Sequence, residues 1–424
     1  MYNGRGGAPS AESVRASRYF PFGRALASLV AGLIGSACAG GPDGGGGLRS
    51  VVRDSAGVTI VENERPPLDS RVEWRVGTAA AVTIGTVEGD PAYELFRVGG
   101  ALRTSDGRII ASNAGSGELR VFDSHGVHLE SWGGRGDGPG EFGVMAPLGL
   151  QPWPGDSLMA REPFQSRLSI FSTDGTFGRT LRLQPQSGYQ TVVGPLPDGR
   201  ILARTLTSYE SGTPGTSELT RPDLEYGILE ADGSVHRDLG VFPGSELYVV
   251  NTSEGARPRR AAFERSAFDF VWGDLVVLTT NDRYEIRAYR TDGLLARIVR
   301  RAHEIRAPTR ADLRDYLARQ YSGEPDPDAM LDAVADIPLV EAFPAFDRAL
   351  VDRLGYLWVE EYRLPGDVDR LWTVFDPEGR VLGLLEMPGS FSVREIGADY
   401  ILGTREDALG IEYVEYWSLD RSGS

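Results

Sequence analysis

Short apolar runs and turn signals alternate along most of the chain. The runs are rich in Val, Ile, Leu and aromatic residues, and Asp-Gly or Gly-Asp pairs separate them. This pattern is typical of short strands joined by tight turns. It also repeats: "ELRVFDSHGVHLESWG" matches "RLSIFSTDGTFGRTLRL", with Phe122 and Phe171 at equivalent positions. The pattern predicts an all-β chain built from repeated units.

Six copies of the unit are recognisable between Ala81 and Asp420, each with up to four strands. Four-stranded units at this spacing predict a six-bladed β-propeller. A two-sheet sandwich is the alternative, but it does not explain why the same turn recurs at the same place. The last copy ends after three strands. We therefore expect an N-terminal strand to close the last blade, with Ala81–Gly85 as the candidate and Val58–Asn63 alongside it.

The stretch "SWGGRGDGPGEFG" is predicted to connect two blades. It aligns with "TVEGDPAYELF", so that Pro91 and Pro139 take equivalent places. This periodicity accounts for the glycines better than an adhesion tripeptide or a phosphate loop does. The string "GRGDGPGEF", followed by strand, Asp-Gly turn and strand, resembles the NHL-repeat family of six-bladed propellers. It also resembles the bacterial lipoprotein group of six-bladed β-propellers. The resemblance implies the same fold.

The N-terminus predicts an exported protein. Arginines precede the apolar run "ALASLVAGLIGSA", which has the length of a signal-peptide core, and Cys38, the single cysteine, follows it. We predict a lipoprotein-type signal peptide over 1–37, a flexible linker over 38–57 and the propeller over 58–424. Lipidation at Cys38 would anchor the protein in the bacterial cell envelope, at the outer membrane or the periplasmic face. An ordinary signal, giving a secreted or periplasmic protein, is the alternative.

Composition excludes some partners. The net charge of −16 and the pI near 4.9 argue against nucleic acid, whose phosphates need clustered Lys and Arg. The four histidines do not fall at the ends of predicted inner strands, so we predict no zinc or copper site. No cofactor is predicted, with calcium left open, and the membrane is reached only through the N-terminal lipid.

The long insertions are predicted to share one face. Counting up-and-down strands places the segments near 205–225, 241–267 and 301–345 on the same side of the propeller. The third lies between blades four and five and has helical spacing over Thr309–Tyr321 and Asp326–Ile337. Because elaborated loops on a rigid scaffold often carry function, we expect the binding site on this face.

The candidate ligand-binding residues are the polar ends of the second strands: Asn113, Arg161, Glu162, Arg204, Asn281, Glu360, Glu361, Arg405 and Glu406. They favour an envelope-anchored binding module for a partner protein, a peptide or a polar small ligand. The alternative is a calcium-dependent hydrolase or lactonase acting at the channel mouth, with Asn113, Asn281 and Glu360 as oxygen donors. Whether the protein is an enzyme stays open, with binding favoured. No catalytic residue can be assigned.

Overall fold

The architecture comes from a computed structural model. It describes residues 48–143, 149–162, 167–183, 189–206, 213–259, 261–320, 338–364, 367, 370–389 and 391–423. The predicted signal peptide, Cys38 and the first part of the predicted linker lie outside the described residues. So does the predicted helical stretch Asp326–Ile337. Within the described ranges, no helix combines the length and apolar character needed to cross a bilayer.

The described elements are almost all short strands. In the first part of the chain they are β1 (Ser50–Ser55), β2 (Val58–Asn63), β3 (Arg75–Val76), β4 (Val82–Ile84), a 3-10 turn (Pro91–Tyr93), β5 (Ala101–Arg103), β6 (Ile109–Asn113), β7 (Glu118–Phe122), β8 (His128–Gly133), β9 (Gly149–Trp153), β10 (Ser157–Glu162), β11 (Arg167–Ser172) and β12 (Phe177–Arg182). The middle contains β13 (Tyr189–Pro195), β14 (Ile201–Leu206), β15 (Ser217–Thr220), β16 (Asp223–Leu229), β17 (Val235–Pro243), β18 (Leu247–Thr252), β19 (Gly255–Arg259), β20 (Ala267–Trp272), β21 (Leu275–Thr280), β22 (Glu285–Tyr289) and β23 (Leu295–Arg301). The last part contains α1 (Arg310–Gln320), β24 (Phe346–Val351), β25 (Leu357–Glu361), β26 (Leu371–Phe375), β27 (Val381–Glu386), β28 (Phe391–Ile396), β29 (Tyr400–Glu406) and β30 (Glu412–Asp420).

The strands form sheets that follow one another along the chain, and their pairing is antiparallel except where β2 joins β23. Sheet I is β5–β8, sheet II is β9–β12, and sheet III is β13, β14, β16 and β17. Sheet IV contains β20–β23 with β2 and β1 at its outer edge, sheet V is β24–β27, and sheet VI contains β28–β30 with β3 and β4. A small sheet of β15, β18 and β19 is formed by two of the predicted insertions.

Consecutive sheets pack face to face through separate apolar clusters. Leu102 of sheet I shares a cluster with Leu150 of sheet II, and each later pair of neighbours shares another. The series closes, because Leu402 of sheet VI packs with Ile109 of sheet I. A series of small antiparallel sheets in which the last packs on the first is the arrangement of a β-propeller. The prediction of a propeller-like all-β fold is therefore confirmed.

The glycine-rich stretch does connect sheets I and II. Phe142 is fully buried in the cluster between them. Gly133, at φ +88°, lies directly beneath this ring, and a Cβ there would come within 2.5 Å of it. The glycine is needed for both its backbone conformation and the close approach.

The N-terminal strands divide between two sheets. As predicted, β4 within Ala81–Gly85 pairs with β30 and so adds a strand to sheet VI. The strand Val58–Asn63 does not lie alongside it, which corrects that expectation: β2 pairs in parallel with β23 of sheet IV. Ser50–Ser55, predicted as linker, forms β1 and pairs with β2. Asn63 contributes to this placement, because its side chain accepts from the amide of Val381 at 2.9 Å and donates to the carbonyls of Arg300 and Gly379.

Aspartates in the tight turns make the fold sensitive to acid. Hydrogen bonds from the side chains of Arg108 and Thr104 lower the pKa of Asp106 to about 2. Those from the Ser172 hydroxyl and the Thr176 amide lower the pKa of Asp174 to about 2. Since both pKa values lie below the ordinary aspartate range near 3.9, the carboxylates contribute stability that is complete above that range. That stability is lost as the pH falls toward 2.

We expect the double variant Asp106→Asn/Asp174→Asn to show a shallower loss of unfolding free energy between pH 4 and pH 2 than the wild type. Asparagine keeps an acceptor oxygen, but its amide does not take up a proton between pH 4 and pH 2. Urea unfolding at a series of pH values measures the slope. Asp315→Asn, on the exposed side of α1, is the control. A double variant with the wild-type slope would contradict the assignment.

Candidate functional site

The long insertions pack together through one apolar cluster. The ring of Phe263 lies 5.1 Å from that of Tyr316 in α1 and 4.9 Å from that of Phe343, measured between centroids. Leu219, from the insertion between β14 and β16, packs against the same group. We call this group the insertion cluster; its buried members are Phe263, Leu313, Leu317, Val340 and Phe343. The described parts of the three insertions therefore lie together, as predicted.

A cavity of about 770 Å³ lies between the insertion cluster and the first strands of sheets IV and V. Phe263, Tyr316 and Leu317 line it from the insertions. Asp347 and Arg348 line it from β24. The volume falls within the range of small-molecule sites. Polar groups supply slightly more of the lining than apolar groups do, which suits a polar ligand.

A β-bulge turns two adjacent charged residues toward this cavity. The pairing of β24 with β25 shifts register between Phe346 and Arg348, so Asp347 is an extra residue. In a regular strand, neighbouring side chains point to opposite faces, whereas a bulge redirects one of them. Here Asp347 and Arg348 both line the same cavity. The bulge thus places a carboxylate beside a guanidinium.

Neither of these two charged groups forms a direct pair within the described part of the fold. Within the described ranges, the Asp347 carboxylate and the Arg348 guanidinium make no hydrogen bond or ion pair, with each other or with any other group. Glu360 and Arg370, which also line the cavity, differ, because they pair with each other, with one nitrogen–oxygen distance of 3.1 Å. Asp347 is exposed and Arg348 is half-buried, so both are open to a ligand.

The surroundings shift the pKa values of both groups. Partial desolvation, and then the negative charge of Glu360, raise the pKa of Asp347. Partial desolvation, and then the positive charge of Arg394, lower the pKa of Arg348, which stays protonated at neutral pH. Arg394 is itself the extra residue of a bulge, in β28. Opposite charges nearby act against these shifts, Arg363 and Arg370 on Asp347 and Glu360 on Arg348. The cavity therefore offers one anionic and one cationic position, neither of which has a direct hydrogen-bonded partner among the described residues.

The two predicted asparagines tie strands to neighbouring segments. The side-chain oxygen of Asn113 accepts from the amide of Phe96 at 2.9 Å. The side-chain oxygen of Asn281 accepts from the amide of Ser266 at 2.6 Å, and its amino group donates to the carbonyl of Phe346 at 2.8 Å. Both side chains are buried. Their polar atoms are thus used within the fold.

The predicted glutamates and arginines form internal pairs or carbonyl contacts. Glu162 pairs with Arg167, Glu361 with Arg301, Arg204 with Asp269, and Arg405 with Glu415. Arg161 donates to the carbonyl of Val192 at 2.5 Å, and Glu406 is exposed. Of the residues predicted to bind ligand, Asn281 and Glu360 line the cavity and the others do not. A ligand role for any of them stays a prediction.

The three predicted calcium donors do not share one site. Asn281 and Glu360 line the cavity, but Asn113 lies in sheet I outside it. Glu360 directs both oxygens to Arg370, and the asparagine oxygens accept backbone amides. Among the described residues, no three or more His, Cys, Asp or Glu side chains are grouped so that they could hold a metal ion.

The sequence analysis did not identify two charged residues that line the cavity. Asp347 and Arg348 belong to "AFDRALV", an inner strand that is otherwise mainly apolar. Two adjacent charges in such a strand are the signal that could have identified them. Tyr362, a further lining residue, follows directly after the predicted pair Glu360 and Glu361.

No known family model matches the sequence, and no curated protein is significantly similar to it. Solved structures are similar over most of the chain. They include a putative exported protein from Bacteroides fragilis NCTC 9343, with 13% identity, 85% of this chain and 99% of that chain covered, and a TM-score of 0.46. A member of the DUF4221 family from Bacteroides vulgatus ATCC 8482 has 10% identity, coverages of 82% and 98%, and a TM-score of 0.49. A streptogramin B lyase has 11% identity, coverages of 82% and 97%, and a TM-score of 0.38. All three TM-scores lie below 0.5, so the fold assignment depends on the strand order and packing of this chain.

Proposed function

We propose that the protein is a six-bladed β-propeller that binds a polar small ligand or a peptide in the cavity beneath the insertion cluster. Sheets I to VI are its blades, the N-terminal strand β4 completes the last one, and the segment with α1 is inserted between blades four and five. The cyclic order of the apolar clusters supports six blades in one ring. The lipoprotein-type N-terminus and Cys38 support a place in the cell envelope.

One observation carries the binding function. Asp347 and Arg348 face a cavity with an aromatic wall, and neither has a partner in the described part of the fold. Arg348 is half-buried, and a partly desolvated charge without a direct partner costs free energy. A ligand that pairs with its guanidinium recovers part of this free energy, and the exposed Asp347 beside it offers a second charged contact. The aromatic side of the cavity adds burial and orients the ligand.

Filling the cavity tests this proposal. We expect the full chain to bind the neutral fluorophore N-phenyl-1-naphthylamine saturably with one-to-one stoichiometry, because Phe263, Tyr316 and Leu317 form an apolar and aromatic part of the lining. Ala262 lines the cavity, so Ala262→Trp is expected to weaken binding at least about tenfold, the loss of roughly 1.4 kcal/mol of contact. A fluorescence titration measures the affinity of each protein.

Ala398→Trp is the matched control, because Ala398 is exposed in the turn between β28 and β29. Thermal unfolding of both variants verifies that the fold is kept. Absence of saturable binding to the wild type, or equal binding by Ala262→Trp and Ala398→Trp, would exclude the cavity as the binding site.

A further inference from the structure

We propose that the ligand is a short peptide with both termini free, its ammonium group bound at Asp347 and its carboxylate at Arg348. This inference rests on the proposed function, since it specifies what the same cavity binds. The observation behind it is the pair of opposite charges without direct partners that one bulge turns into one cavity, which aromatic residues line on one side.

The surroundings of Asp347 fit an ammonium group. Tyr316 and Tyr362 line the same cavity, and the negative charge of Asp347 acts on the Tyr362 phenol closely enough to raise its pKa, after desolvation. A carboxylate next to aromatic rings attracts an ammonium both through its charge and through the ring faces. A neutral or anionic group at this position would leave the carboxylate uncompensated.

The surroundings of Arg348 fit a carboxylate. A guanidinium presents its N–H donors in a planar fork that matches the two oxygens of a carboxylate. Arg394 adds positive charge from the neighbouring first strand of sheet VI. Arg370 is already committed to Glu360, so it does not compete for the ligand. Arg348 is therefore the available anion-binding group of the cavity.

A zwitterion satisfies both positions, whereas a singly charged ligand satisfies one. A peptide residue spans about 3.3–3.6 Å, so the two termini of a two- or three-residue peptide are close enough to enter one cavity together. A cavity of about 770 Å³ also has room beyond a single amino acid. Apolar side chains of the peptide would contact Phe263, Leu313 and Leu317.

Four forms of one dipeptide test this inference by isothermal titration calorimetry with the full chain. They are leucyl-leucine, N-acetyl-leucyl-leucine, leucyl-leucinamide and the doubly blocked N-acetyl-leucyl-leucinamide. We expect the zwitterion to bind about 10- to 100-fold more tightly than either singly blocked form, which corresponds to one charged hydrogen-bonded contact. Arg348→Gln should weaken the two forms with a free carboxylate and leave leucyl-leucinamide unchanged. Asp347→Asn should weaken the two forms with a free ammonium and leave N-acetyl-leucyl-leucine unchanged.

Arg290→Gln and Asp292→Asn are matched controls, because these two residues form an exposed pair in the turn between β22 and β23. Both site variants are expected to fold, since the two charged groups make no contact in the described fold that substitution would remove. Equal affinity for all four peptides, or no binding of any of them, overturns the inference while the fluorophore still binds and the proposed function stands. If neither peptide nor fluorophore binds, both proposals fail.

Discussion

Replacing Arg167 by methionine is expected to lower the free energy of unfolding by about 3–5 kcal/mol. The side chains of Glu162 and Arg167 are each 1% exposed and form an ion pair within sheet II. Glu162 also accepts from the amide of Gly143 at 2.6 Å, and Arg167 donates to the carbonyl of Glu141 at 2.7 Å. Without the guanidinium, the carboxylate keeps its desolvation cost but loses its partner. Urea unfolding followed by tryptophan fluorescence measures the difference.

A double variant separates the cost of leaving one charge unpaired from the net contribution of the ion pair to the free energy of unfolding. Glu162→Leu/Arg167→Met is expected to recover most of the loss, because apolar groups of similar size often replace a buried pair at little cost. Arg290→Met, at an exposed pair, should change the free energy of unfolding by less than about 0.5 kcal/mol. If Arg167→Met is as mild as Arg290→Met, the pair does not hold this part of the sheet, and Glu162 is available to a ligand after all.

This ion pair shows that a position at a strand end does not by itself reveal the role of a polar residue. The sequence places Glu162 at the end of a second strand, and the strand does end there. It does not reveal that the next strand begins with Arg167 and brings a guanidinium against the carboxylate. A polar residue at a strand end is equally consistent with a ligand-binding group and with a structural group that pairs with the next strand. Only the three-dimensional partner distinguishes the two.

The sequence predicts that the insertions lie together, but it does not single out Asp347 and Arg348, for a related physical reason. The side that carries the insertions follows from the parity of an up-and-down meander, which needs only the strand count. Asp347 and Arg348 face the cavity together because of a bulge, and a bulge is a register shift between two strands. The alternation of apolar and polar residues along one strand does not show a register shift against its neighbour. The strand "AFDRALV" therefore predicts the element but not the direction of its charges.

The N-terminal strands illustrate the same limit. The periodicity that equates Pro91 with Pro139 predicts that Ala81–Gly85 is an outer strand, and β4 is one. Val58–Asn63 has no counterpart in the repeat, so periodicity does not predict which sheet this strand joins. Its position beside β23 depends on backbone pairing and on the contacts of Asn63 with two sheets.

Replacing Ile84 by aspartate is expected to lower the free energy of unfolding by more than about 4 kcal/mol. Ile84 is 1% exposed, pairs with Val414 of β30, and lies in the cluster that joins sheet VI to sheet I. The substitution removes a buried aliphatic side chain and puts an unpaired carboxylate in its place, and both changes oppose folding. Because this cluster joins the last sheet to the first, its loss should weaken the closure of the ring, so that the whole fold is affected. Urea unfolding, with intrinsic fluorescence and circular dichroism recorded together, measures the loss and its cooperativity.

Thr83→Asp provides the control within the same strand. Thr83 is exposed on the opposite face of β4, since neighbouring side chains of a strand alternate between faces. It receives the same charge one residue away, and we expect a change of about 1 kcal/mol or less. If β4 were an attachment on a ring already closed by other contacts, the two substitutions would have similar small effects. A large difference between adjacent residues requires instead that the inward face of β4 is part of the core that holds the first and last sheets together.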